Sequence, residues 1–200
     1  MEEHVRAALA DSAAALARLS ADAPAIKTIA GAGHALAQSF AAGGRAFSCG
    51  NGGSMADAIH FAEELSGRFR RDRRGYAAAA ISDPGHLTCV ANDFGYEAVF
   101  ARYVESHGRR GDCLVAISTS GKSPNVLRAA EAARTLGMTV IALTGRPGSA
   151  LGKLADFDLC TPGGDFADRV QELHIKVIHI LIELIERELA PENYTGGRAR

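Results

Sequence analysis

A chain of 200 residues, 47% hydrophobic and 22% charged, is long enough for one domain with a substantial core. Its formal net charge of −1, with no long block of either sign, speaks against a polyanion-binding surface and so against nucleic acid as a partner. No apolar run approaches the roughly 18 residues of a membrane span, and the opening MEEHVRAALADSAAAL lacks the basic start of a signal peptide.

Glu2 to about Ser20 reads as an amphipathic helix with Val5, Leu9, Leu16 and Leu19 on one side. Pro24 opens a second helix through Ile26, Ile29, Leu36 and Phe40, which Gly43-Gly44 ends. Together they predict an N-terminal hairpin over 1–44 that packs on the domain or on another subunit. The first strand, RAFSCG, leads into the densest stretch of the chain, Phe47–Leu65. There Gly50, Gly52 and Gly53 allow a sharp turn, and Ser54 is the expected cap of the next helix, with Asp57 completing a shortened capping box. Free N–H groups at such a helix start suit a phosphate. His60 and Glu64, four residues apart, share a face of this helix.

Arg68, Arg70, Arg71, Arg73 and Arg74 follow as a basic cluster, expected to be a solvated loop or a salt-bridge patch between subunits. AAAAIS at 77–82 is a small-residue strand stopped by Asp83-Pro84-Gly85. Residues 86–92 read as a short helix or turn, 92–96 as a loop and 100–108 as a helix. DCLVAIS at 112–118 and TVIALT at 139–144 are buried-type strands; between them lie the loop Thr119–Ser123 and a helix that Pro124 opens and Gly137 ends. A short helix at 151–156 precedes the last strand, FDLCT at 157–161. The helix predicted from about Asp165 to Ala190 is apolar nearly all round over Val177–Ile185, apart from His179 and Glu183, which points to a subunit interface. A frayed tail over 191–200 completes a single domain with an α/β core at 45–190. Cys49, Cys89, Cys113 and Cys160 form no CxxC pair, which indicates a reduced, cytoplasmic protein without a zinc ribbon. About five strands alternating with helices predict an α/β fold, a parallel sheet with helices on both faces, with ligands beyond the carboxyl ends of the strands.

Three groupings carry chemistry. Two strand-to-helix loops, Gly50–Ser54 and Ser118–Ser123, repeat one device, and neither fits GxGxxG or the Walker spacing, which argues against a dinucleotide or nucleoside triphosphate. The hydroxyls of Ser118, Thr119, Ser120 and Ser123 suit a monophosphate, and Ser123 doubles as a helix cap before Pro124. His60 with Glu64 can ligate a divalent metal, act as acid and base, or form a plain surface ion pair. On the last helix stand Asp168, Gln171, Glu172, His174 and His179; His179, within Val177–Ile182, has the alternative of being an ordinary core histidine. Gln171 and His179 lie about 12 Å apart along an ideal helix, so a site using both is expected to be shared between subunits.

With those residues in view, the sequence resembles the SIS (sugar isomerase) domain family, and within it the bacterial phosphoheptose isomerases. The resemblance is carried by SCGNGGS (48–54), DAIHFAEELSGRF (57–69), AISDPGHLTCVANDFGYEAVFARYVE (80–105), AISTSGKSPNV (116–126) and ADRVQELHIKVIHILIELIE (167–186). It implies a five-stranded SIS fold, a flavodoxin-like three-layer sandwich, and a homotetramer with active sites at subunit interfaces. It implies a sugar phosphate substrate held by Asn51, Gly52, Gly53, Glu64, Asn92, Asp93, Ser118, Thr119, Ser120, Ser123 and Gln171. It implies one zinc per subunit on His60, Glu64, Gln171 and His179, with Glu64 and His179 as catalytic pair and Asp168 as a candidate for orienting substrate. Whether Glu64 serves chiefly as base or as ligand is left open by the resemblance, and the alternatives of a non-catalytic tetrameric adaptor for the replication initiator, or an isomerase of another sugar phosphate, share the same fold.

Overall fold

The computed structural model describes residues 1–164 and 166–195. Two helices, α1 (Glu2–Ala21) and α2 (Ala23–Ala41), precede the strand β1 (Ala46–Gly50). Then come α3 (Gly53–Ser66), β2 (Ala78–Ala80), α4 (Pro84–Phe94), α5 (Val99–His107), β3 (Cys113–Ser118) and α6 (Pro124–Thr135). The chain finishes with β4 (Thr139–Thr144), α7 (Ala150–Leu154), β5 (Phe157–Cys160) and α8 (Ala167–Leu189). All four strand pairs are parallel, in the order β2-β1-β3-β4-β5. This is the doubly wound order in which the chain reverses direction between β1 and β3, and ligands in such sheets bind in the crevice at that point.

The central strands β1 and β3 are buried at every position, as an apolar run in a sheet covered on both faces requires. Alternate residues feed two cores. Val115, Ile117, Ile141 and Leu143 meet Leu36, Phe61, Leu65, Ile178 and Leu181 from α2, α3 and α8. Leu114, Ala116, Val140 and Ala142 meet Phe100, Val104, Val126, Ala129 and Leu151 from α5, α6 and α7. Side-chain caps start several helices: Asp22 accepts from the Ala25 N–H of α2 at 2.9 Å, and Asp83 from the His86 N–H of α4 at 2.7 Å, each with proline in the first turn.

Several expectations shift. Ser54 is buried inside α3 and does not cap it; Gly52 holds the cap position with φ of 56°, a left-handed value that glycine alone adopts without strain. Ser123 does stand at the N-cap of α6, but its side chain caps nothing. Asn92 and Asp93 belong to the last turn of α4 instead of a loop, because the helix continues to a stop at Gly95. The apolar stripe of α1 is largely exposed, with Val5, Leu9 and Leu16 at 60%, 66% and 42%. Arg73 is not a solvated loop residue: its side chain is 2% exposed and pairs with Glu186, itself fully buried. The tail expected to fray from Pro191 is docked in its first part, where a 3-10 turn over Pro191–Tyr194 lets the Tyr194 hydroxyl donate to Glu186 at 2.8 Å. Residues 196–200 of that tail lie outside the described residues.

Candidate active site

The two strand-to-helix loops stand on adjacent strands, at the ends of β1 and β3. In the second loop the Ser118 hydroxyl is the hub. It lies 3.0 Å from the Ser123 hydroxyl and 3.4 Å from that of Ser120, and accepts from the Gly121 N–H at 3.2 Å. The Lys122 N–H in turn donates to the Ser120 hydroxyl at 3.2 Å. Three hydroxyls thus converge at the start of α6, where backbone N–H groups face an anion favourably. Thr119 is half-buried in the same loop, and its carbonyl accepts from the Gly145 N–H.

In the first loop the Asn51 carboxamide pairs reciprocally with that of Asn125: Asn51 donates at 2.9 Å and Asn125 donates back at 2.8 Å. The Tyr96 hydroxyl donates to the same Asn51 oxygen at 3.0 Å. Asn51 therefore ties the end of β1 to α6 and to the turn after α4. Asn125 is 2% exposed and was not singled out in the sequence, nor was Tyr96; the signal was the asparagine in SPN at the head of α6, which reads as ordinary helix-start polarity. Asn92 donates to Asp93 at 2.8 Å, and both are exposed beside that turn. A Cβ on Gly53 would stand 2.5 Å from Gln171 Nε2, so the absence of a side chain there lets Gln171 of α8 lie against the glycine loop.

The third part is on α3 and α8. His60 Nε2 and His179 Nε2 are 3.0 Å apart, and Glu64 Oε1 is 3.6 Å from His60 Nε2. His60, Glu64 and His179 form a group whose ligand atoms all lie within 4.8 Å of one another, the one such group of acidic, histidine or cysteine side chains among the described residues. Two nitrogens on one tetrahedral zinc stand roughly 3.3 Å apart, so donor types and spacing fit a divalent cation. Burial raises the Glu64 carboxyl above its ordinary range, and the Glu63 charge adds to this. Burial, with the neighbouring His60, lowers the His179 imidazole. Asp57, expected as part of a capping box, instead lies one turn before His60; burial pushes it up to about 6, and one of its oxygens is buried without a hydrogen-bond partner.

One chain brings His60, Glu64 and His179 together, so the span from Gln171 to His179 does not force these three onto two subunits. The core histidine of α8 is His174, fully buried and donating from Nε2 to the Thr144 carbonyl at 3.1 Å, while His179 is only half-buried. Asp168 is exposed on the first turn of α8 and paired with Arg169 at 3.3 Å.

A family model described as the SIS domain matches residues 9–145. The chain belongs to the SIS domain family. It is 56% identical over 189 residues to a phosphoheptose isomerase of Aeromonas hydrophila, covering 94% of this chain and 98% of that one. The structure of a phosphoheptose isomerase from Neisseria gonorrhoeae superposes with a TM-score of 0.86 at 38% identity, covering 92% of this chain and 98% of the other. One from Francisella tularensis gives 0.85 at 34% identity, covering 92% and 97%. The five-stranded parallel α/β fold and the family expected from the sequence are those found.

Proposed function

We propose that this protein is an aldose–ketose isomerase that converts D-sedoheptulose 7-phosphate into D-glycero-D-manno-heptose 7-phosphate through an enediol. The observation that carries the reading is the near full-length similarity to phosphoheptose isomerases in a chain that assembles His60, Glu64 and His179 on its own. A non-catalytic adaptor has no use for that cluster.

The residues divide the work. Ser118, Thr119, Ser120 and Ser123 receive the phosphate; Asn51, Gly52, Gly53, Asn92, Asp93 and Gln171 line the sugar chain. Glu64 takes the proton from C1 of the ketose and returns it to C2, and the raised basicity of its carboxylate favours that transfer. His179 moves the proton between O1 and O2; burial and the neighbouring His60 lower its pKa, which favours the neutral imidazole. His60, Glu64, Gln171 and His179 would hold one zinc ion per subunit, which would polarise the substrate oxygens. The exposed apolar stripe of α1 supports an interface with another subunit, and the reading is a homotetramer with active sites at subunit interfaces. No helix among the described residues is long and apolar enough to cross a membrane, and four free cysteines suit a cytoplasmic enzyme supplying heptose for lipopolysaccharide or another glycoconjugate.

The test is incubation with a panel of pentulose, hexulose and heptulose phosphates, with the aldose followed by NMR. Preferential turnover of sedoheptulose 7-phosphate is expected. Preference for a shorter ketose phosphate would move the assignment to another sugar, and no turnover of any, with or without zinc, would leave the adaptor reading.

A further inference from the structure

Arg73 and Glu186 form the most deeply buried ion pair among the described residues, with side-chain exposures of 2% and 0% at 2.9 Å. Removing both charges from water is costly, so the geometry around them should show a return. The guanidinium spends its remaining donors on the end of α3. It donates to the carbonyls of Glu64 at 2.7 Å, Leu65 at 2.9 Å and Gly67 at 2.7 Å, and more weakly to that of Arg74 at 3.3 Å. These α3 carbonyls belong to the last turn or lie just past it, where no intrahelical N–H is available. The ring of Tyr76 covers the guanidinium at 4.7 Å, and the Tyr194 hydroxyl holds the second Glu186 oxygen.

On α8, Glu186 lies two turns beyond His179 and on nearly the same face. That face meets α3 twice: His179 reaches His60, and Glu186 reaches the backbone of Glu64 through Arg73. We propose that Arg73 and Glu186 are positioning residues, a buried clasp that sets the spacing of α3 and α8 and thereby holds Glu64 opposite His179. The proposal rests on the reading of His60, Glu64 and His179 as the reacting and metal-holding group. Arginine is required because only its fork can serve a carboxylate and several carbonyls at once; lysine keeps the charge and loses the fork.

The experiment compares the full-length parent with Arg73→Lys and Tyr194→Phe. It reads Zn2+ affinity of chelator-treated protein by calorimetric titration, kcat and KM on sedoheptulose 7-phosphate, and the thermal melt. For Arg73→Lys with a cooperative melt, the expected result is a loss of tenfold or more in both kcat and Zn2+ affinity, with KM within threefold because the serine loop is untouched. Values of kcat and Zn2+ affinity within twofold of the parent would overturn the proposal. Should Arg73→Lys fail to fold, Tyr194→Phe decides. It removes only the hydroxyl on Glu186; a threefold or greater loss in both readouts supports the clasp and unchanged values overturn it. A parent inactive on the substrate would sink the functional reading, while the Zn2+ affinities would still judge the clasp.

Discussion

His174 offers a pH-dependent test of the fold. Its imidazole is fully buried in α8, with Nε2 donating to the Thr144 carbonyl and Nδ1 without a partner. Burial lowers its pKa from 6.5 to about 4. Between those values the unfolded chain binds a proton that the folded chain refuses, so stability is full above about pH 6.5, falls as pH drops, and levels off near pH 4. At pH 5 nearly all unfolded chains carry the proton, and the loss from this one group is about 2 kcal/mol. The assay is urea unfolding at pH 7 and pH 5, at fixed protein concentration and with chelator present, on the parent and on His174→Gln. Glutamine keeps a donor for Thr144 and does not titrate. The parent should lose about 2 kcal/mol more than the variant between the two pH values. Equal losses, within about 0.5 kcal/mol, would refute the assignment of His174 as a buried neutral histidine.

Other perturbations separate the parts of the site. Gly53→Ala puts a methyl group where the Gln171 amide rests; the flexible amide yields, so the melt should hardly move while kcat/KM falls roughly tenfold to a hundredfold, and an unchanged kcat/KM would remove Gln171 from the site. Ser118→Ala deletes the hub of the hydroxyl cluster; KM for the sugar phosphate should rise about tenfold, the worth of one hydrogen bond to a charged group, with kcat changed less. A fall in kcat alone would place the phosphate elsewhere.

Much of this architecture was legible in the residues. The runs Asp112–Ser118 and Thr139–Thr144 read as strands because sheets covered on both faces need continuous apolar runs, and they are strands over Cys113–Ser118 and Thr139–Thr144. Glycine and serine loops at two strand ends became neighbours through the topology, since β1 pairs with β3. What stayed hidden depends on contacts far apart in sequence. Nothing local tells that His179 faces His60, or that His174, five residues earlier, points into the core; the orientation of α8 against the sheet decides both. Arg73 read as part of a solvated loop or of a salt-bridge patch between subunits because arginine is buried only with a partner, and that partner, Glu186, comes from the far end of the same chain. Ser54 read as a cap because serine favours that place, but the left-handed Gly52 takes it.

The central claim is that Glu64, held beside His60 and His179, moves the substrate proton. Its most direct test is solvent deuterium incorporation at C1 of sedoheptulose 7-phosphate and at C2 of the aldose product, followed by NMR for the parent and for Glu64→Gln. The parent should exchange and isomerise, and Glu64→Gln should do so at least about a hundredfold more slowly, the lower range for a general base, while its melt and phosphate binding stay intact. Exchange by a folded Glu64→Gln at close to the parental rate would contradict the claim.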